Sequence, residues 1–397
     1  MQVHTVKRGE SIFGIAREYA VSPRGIIETN GLENPDVLAI GEELLILRPS
    51  RNYTASAGDT VGLVARRFGI KREDIFAKNP QLLCDDRLYD GQLLALGYGD
   101  ARLGMAASNG YLYPGYDKES LHRALPYITY LTVAAAVAEG GRISYLFDGS
   151  TALKTAKQND KIPILRIYLK DGDGIYDGEV ERNAFAELLV ASASDSGYSG
   201  ICLSVPECGV RSREYEAFII SLRKRMIGSG LILFTEAICD RENGYADYAD
   251  GCVLSYDKLS LSSIPSFNQG ERRAFSGYAE AAESSKTFMD ITSFAVSSEG
   301  YLTYGEAIKT AARAGAKISA DDCGICSYSY NKKGGDLVVV RYESLKNIIA
   351  KLELLGELGY MGISFDINRT PVSHLMAYTA LFSGICYTSV FSGGART

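Results

Sequence analysis

"GICLSVPE", residues 200–207, is a glycine followed by a short apolar run that stops at a proline and an acid. It is too short for a helix and reads as a buried strand. Seven further runs share its texture: "SNGYLYPG" (108–115), "PYITYLTVAA" (126–135), "IPILRIYL" (162–169), "LILFTEAI" (231–238), "GCVLSYD" (251–257), "TFMDITSFAV" (287–296) and "GYMGISFDI" (359–367). Amphipathic stretches separate them; "SREYEAFIISLRKRM" places Tyr215, Phe218, Ile219 and Leu222 on one helical face. Strands alternating with helices predict a parallel sheet, and eight such units close into a (β/α)8 TIM barrel with its working residues at the C-terminal strand ends. The connection before the eighth strand contains "ISADDCGICSYSYNKKGGDLVVVRY" (318–342), which predicts a small strand-containing insertion.

Side chains alternate along a strand, so Cys202, Ser204 and Pro206 are expected to face the barrel centre, and Val205 and Glu207 to face away. Proline at 206 could kink the strand end and swing Glu207 inward, at the cost of a backbone donor. Other acids fall at strand ends: Glu236 on the fifth, Asp257 on the sixth, Asp290 on the seventh and Asp366 on the eighth. Glu236 with Asp366 is one conceivable carboxylate pair; solvated or arginine-paired rim acids are the other reading.

The first hundred residues contain a duplication. "HTVKRGESIFGIAREYAVSPRGIIETN" (4–30) superposes without gaps on "YTASAGDTVGLVARRFGIKREDIFAKN" (53–79), and one inserted residue later Gly41 matches Gly91. Each unit reads strand, helix, helix, strand. Ser11 and Thr60 are placed to cap the first helix. Its buried face is Ile12, Ile15, Ala16 and Tyr19 in one copy and Val61, Val64, Ala65 and Phe68 in the other. The second helix ends at Asn30 or Asn79, where asparagine tolerates a left-handed C-cap.

This pattern resembles the LysM module over both repeats, and residues 1–49 and 50–98 are assigned to them. The resemblance implies binding of N-acetylglucosamine polymers such as peptidoglycan or chitin. The implied groove lies between the loop after strand one and the loop before strand two, with Gly9, Glu10, Ser11, Ile12 and Asn30, or Gly58, Asp59, Thr60, Val61 and Asn79, as its candidate residues. Tandem copies would gain affinity through effective concentration.

The barrel, residues 105–397, resembles glycoside hydrolase family 18, particularly the spore-associated group in which LysM repeats precede it. The family's strand-four motif DGxDxDxE falls on Ser199 to Pro206, and its strand-six motif MxYD on Leu254 to Asp257. The resemblance implies substrate-assisted hydrolysis, outside the usual paired-carboxylate scheme. The motif's last acid protonates the leaving oxygen, the acid before it orients the substrate's acetamido group, and a tryptophan floors the sugar site. Here those positions hold Pro206, Ser204 and Asp366, and the more buried acid is Cys202. Tyr256 and Asp257 match, and Glu207 stands one residue late. The resemblance therefore implies a degenerate active site. The alternatives are an active N-acetylglucosaminidase using a re-aimed Glu207, and a coat-assembly scaffold that meets no sugar.

Composition narrows the rest. Hydrophobic residues at 46% and charged residues at 23% are ordinary for a globular protein. A net charge of -6 argues against a nucleic-acid partner. No apolar run is long enough to span a bilayer, and the opening "MQVHTVKRGE" has no signal-peptide character, so synthesis in a cytoplasm is expected; the family resemblance implies a spore coat, cortex or cell-wall destination. The eight cysteines are scattered, and a lone CxxC at Cys323 to Cys326 makes neither a zinc nor a redox signature. His4, His122 and His374 have no ligand spacing, so neither metal nor cofactor is expected. With no tryptophan and 26 tyrosines, a sugar site must use tyrosine, phenylalanine or backbone groups.

Overall fold

The computed structural model describes residues 1–99, 103–170, 178–204, 213–238, 248–255, 284–321 and 324–382. In the first repeat, strand Gln2–Thr5 pairs antiparallel with Glu43–Ile46, and helices Ile12–Tyr19 and Pro23–Asn30 lie between them. The second repeat follows the same plan with strands Arg51–Thr54 and Leu93–Gly97 and helices Val61–Phe68 and Arg72–Lys78. Ser11 and Thr60 cap their helices by accepting from the amides of Gly14 and Leu63, each at 3.2 Å. Each repeat closes its own apolar cluster, built on Ile12, Ile15 and Ala16 in one and Val61, Val64 and Ala65 in the other.

The asparagines do a different job from the expected one. Helix Pro23–Asn30 is closed by Gly31 in the left-handed region, at φ 61°, and Asn79 sits at φ −135°. Asn30 Nδ2 donates to the carbonyls of Ile26 and Leu45, both at 2.9 Å, while its Oδ1 accepts from Leu45 N at 2.7 Å. Asn79 repeats all three bonds with Ile75 and Ala95 at 2.7, 2.8 and 2.9 Å. Each asparagine thus bolts its helix to the closing strand, satisfying backbone groups that burial would otherwise orphan.

Eight parallel strands follow: Ala107–Leu112, Tyr130–Glu139, Ile162–Leu169, Gly200–Ser204, Ile232–Ile238, Gly251–Ser255, Thr287–Asp290 and Gly362–Asp366. Each pairs with the next, and the eighth pairs with the first, Gly362 opposite Ala107, so the sheet closes into a barrel. The floor of its interior is aromatic. Tyr130, Phe234 and Phe288 meet at centroid separations of 5.0 to 5.9 Å. A Cβ on Gly251 would stand 2.7 Å from the Phe234 ring, so that strand must carry a glycine there.

The run at 287–296 is two strands. Asp290 Oδ1 accepts from Thr292 N at 2.9 Å and Thr292 Oγ1 at 2.6 Å, a local turn that ends the barrel strand. Phe294–Ser297 then joins Gly300–Thr303, Ser319–Ala320, Ile325–Asn331 and Leu337–Glu343 in an antiparallel sheet backed by helix Tyr304–Ala314. The insertion is therefore a five-stranded unit with its own core. A further strand, Arg142–Tyr145, hairpins back onto the second barrel strand.

The first repeat is docked on this body. Leu45 and Leu47 join the barrel's main apolar cluster, and Ala39 joins that of the insertion. Ile318 N donates to Ile40 O at 2.8 Å, and Lys309 and Lys346 pair with Glu33 and Glu43 at 2.7 and 3.3 Å. Gly41, at φ 88°, leaves no space for a side chain because a Cβ would fall on the Ile318 carbonyl. Beside it Glu42, only 5% exposed, accepts from Ala39 N at 3.1 Å.

Among the described residues Cys84, Cys202, Cys252 and Cys326 are free thiols. Burial pushes the Cys326 thiol up to about 12, far from the reactive range. Reductant should leave the melting temperature unchanged, and a zinc assay on purified protein should return none. A large drop on reduction, or stoichiometric zinc, would refute the reading of these cysteines as packing residues.

Candidate functional site

At the C-terminal end of the barrel, strands one, three, four and five converge on one cluster. Cys202 and Ser204 face inward, as alternation requires. In register with Cys202 is Arg166 on strand three; on strand five Phe234 holds that register, and Glu236, two residues further along, meets Arg166. Arg166 grips Glu236 with both prongs of its guanidinium, Nε to Oε1 at 2.6 Å and Nη2 to Oε2 at 3.0 Å. Nη2 also donates to Ser204 Oγ at 2.6 Å, and the Tyr111 hydroxyl donates to Glu236 Oε1 at 2.9 Å. The Cys202 thiol stands 3.7 Å from that same oxygen. Tyr111 and Tyr113 stack at 6.0 Å, with the guanidinium 6.0 and 5.9 Å from their ring centroids.

Burial alone would raise the Glu236 carboxyl, but the Arg166 charge, with hydrogen bonds from Arg166, Ser204 and Tyr111, holds it below the usual carboxylate range. A carboxylate held ionised in this way is a poor proton donor at neutral pH. The signal for this pair was in "IPILRIYL": an arginine inside a strand buried on both faces needs an anionic partner.

The other candidates land elsewhere. Asp366, nearly buried at the end of strand eight, accepts from Asn368 N at 2.8 Å, with Arg369 Nε 3.4 Å away. Burial raises its carboxyl against the lowering effects of the Asn368 amide and Arg369. Neither its hydrogen bonds nor its ion pair involve Glu236. Pro206, Glu207, Tyr256 and Asp257 lie outside the described residues. No group of histidines, cysteines or acids among the described residues could hold a metal ion.

In the repeats the ten candidate residues, five in each copy, shape the turn after strand one and anchor the helices. Gly9 and Gly58 make the turn, at φ 82° and 85°. Glu10 closes the loop through Lys7 N at 2.7 Å and His4 Nε2 at 2.8 Å; Asp59 does so through Ser56 N at 2.9 Å and the Tyr53 hydroxyl. Ser11 and Thr60 are spent on caps, Ile12 and Val61 are buried, and Asn30 and Asn79 point inward to their clamps. The large apolar side chains that face solvent in the first repeat are Phe13, 74% exposed, at the start of its first helix, and Val37, 52% exposed, in the loop before strand two. Phe13 falls outside the helix's apolar stripe, an anomaly visible in sequence.

The LysM domain family matches residues 4–47 and 53–97. Over 96% of this chain and 98% of its own, the spore cortex-lytic enzyme SleL of Bacillus cereus superposes with a TM-score of 0.73 at 22% identity. YdhD of Bacillus subtilis strain 168, a candidate sporulation-specific glycosylase, is 23% identical over 243 residues, 59% of this chain and 57% of YdhD. The cell wall-binding protein YocH of the same strain is 30% identical over 96 residues, 23% of this chain and 32% of YocH. The chain thus spans little more than half of YdhD and a third of YocH.

Proposed function

We propose, for a chain that carries two LysM domains ahead of a family-18-like barrel of the SleL fold, that it binds N-acetylglucosamine-containing wall glycan and does not cleave it by the substrate-assisted route. The observation that carries this is the Arg166–Glu236 ion pair at the barrel mouth, beside Cys202 and Ser204. Substrate-assisted hydrolysis needs a neutral acid at the leaving oxygen and a second acid on the acetamido group. At strand four the two motif acids within the described residues are a thiol and a hydroxyl, and the carboxylate nearest them is bound to a guanidinium. General-acid assistance alone is worth about 10²–10⁴-fold in rate, and charge stabilisation at least as much again. The SleL and YdhD likenesses support a spore or cell-wall setting. No helix among the described residues is long and apolar enough to cross a membrane.

The test uses the full chain on insoluble peptidoglycan and on N-acetylglucosamine oligomers at high protein concentration. It should pellet with the peptidoglycan and release no reducing sugar, with Glu207→Gln changing neither result. Sugar release that Glu207→Gln abolishes would instead establish the N-acetylglucosaminidase reading. Failure to pellet would favour a coat scaffold.

A further inference from the structure

The two repeats differ where their loops meet. In the second, the loop before strand two folds over the start of the first helix. Val61 N donates to the Asp86 carbonyl and Gly62 N to Asp86 Oδ1, both at 2.9 Å. Arg72 pairs with the same carboxylate at 3.0 Å, and Thr60 bridges to Arg87. One residue of the chain itself therefore takes both amides with its own oxygen acceptors.

In the first repeat the corresponding amides are those of Ile12 and Phe13, and neither meets an acceptor among the described residues. Asp36, which aligns with Asp86 when the loops are matched on Gly41 and Gly91, is exposed and makes no such bond. The facing loop is held off by other contacts. Glu33 pairs with Lys309, and Ile40 O accepts from Ile318, both on the barrel's insertion. Where the second repeat has Gly62, the first presents the exposed ring of Phe13.

We infer that only the first repeat binds glycan, and that Asp86 occupies the second in the ligand's place. This rests on the wall-glycan reading above and names the copy that carries it. Asp86 shows what the paired amides accept: a carbonyl oxygen and a second oxygen close by. A sugar acetamido group with a neighbouring hydroxyl offers the same pair, and the Phe13 ring supplies an apolar face for the pyranose. Because one copy is filled from within, the tandem arrangement gives no second contact on the same strand, and the affinity gain from linkage does not apply.

The experiment titrates the full chain with an N-acetylglucosamine hexamer, by calorimetry and by amide NMR. One hexamer should bind per chain, moving the Ile12 and Phe13 amides and leaving Val61 and Gly62 still. Phe13→Ala should weaken binding about tenfold, the size of one aromatic contact. Asp86→Ala should raise the stoichiometry to two and bring Val61 and Gly62 into the response. Two hexamers on the unmodified chain, or full affinity in Phe13→Ala with shifts confined to Val61 and Gly62, would overturn the inference and leave the glycan reading standing. No binding to hexamer or to peptidoglycan by any variant would overturn both.

Discussion

Arg166→Met should cost about 3 kcal/mol of stability at neutral pH, the lower end of what orphaning one partner of a buried ion pair costs. The two side chains retain only 18% and 20% exposure, so water compensates little. The pH dependence gives the prediction its sign. In the unmodified protein the Glu236 carboxyl lies below its ordinary value, so the pair's contribution is complete above the unfolded value and is lost as pH falls through the lower folded one. Without Arg166, burial raises the same carboxyl, so the penalty is largest at neutral pH and fades as acid protonates the orphan. A double variant, Arg166→Met with Glu236→Leu, should recover most of the loss because it removes both charges together. Urea midpoints at neutral and acid pH measure all of this. Equal midpoints for Arg166→Met and the parent at neutral pH would refute the buried-pair account. Neither variant should gain hydrolysis, since Cys202 and Ser204 still supply no second acid.

The second large effect sits in the seam between the first repeat and the insertion. Burial raises the Glu42 carboxyl to about 7, with the Ala39 amide opposing it. A carboxyl raised in the folded state binds its proton more tightly there, so stability falls as pH climbs from the ordinary carboxylate range to about 7 and is level above. At 1.36 kcal/mol per unit, the span is of the order of 3 kcal/mol. The two buried tyrosines beside Glu42 do not compete in this window. Tyr304 and Tyr342 are pushed upward by burial and stay neutral. Glu42→Gln should flatten the decline and make the protein more stable than the parent by about 2–3 kcal/mol at pH 8. Parallel stability curves for the two proteins between pH 5 and 8 would sink this.

Much of the architecture was readable because parallel strands buried on both faces appear as short apolar runs. "IPILRIYL" matches its strand end to end. The seventh strand was read too long because Asp290, Ile291 and Thr292 look like continuing strand, and only the side-chain turn onto Asp290 breaks it. The asparagine clamps were misread as caps because their second partners, Leu45 and Ala95, lie 15 and 16 residues on. Strand alternation placed Cys202 and Ser204 correctly, and the arginine in "IPILRIYL" called for an anionic partner, but which acid would meet it, 70 residues away, is fixed only by the closed barrel. The docking of the first repeat was invisible for a related reason. Ala39, Gly41 and Ile318 form a close fit between small surfaces, and close fits leave no periodic mark.

That fit makes the duplicated units unequal. Gly41 and Gly91 both turn the chain at positive φ, but a side chain on Gly91 would enter open space while one on Gly41 would strike the insertion. The second copy meets the barrel elsewhere, through Ala77 and Cys84, so its own Gly91 turn has no partner surface to match. The first must keep a face matched to a partner 276 residues downstream at the Glu33–Lys309 pair, so change on either side demands a reply from the other. The repeats share one plan without being interchangeable parts: transposing them would set Asp90, Gly91 and Gln92 against Ile318 in place of Ile40, Gly41 and Glu42 and leave the seam without its lock.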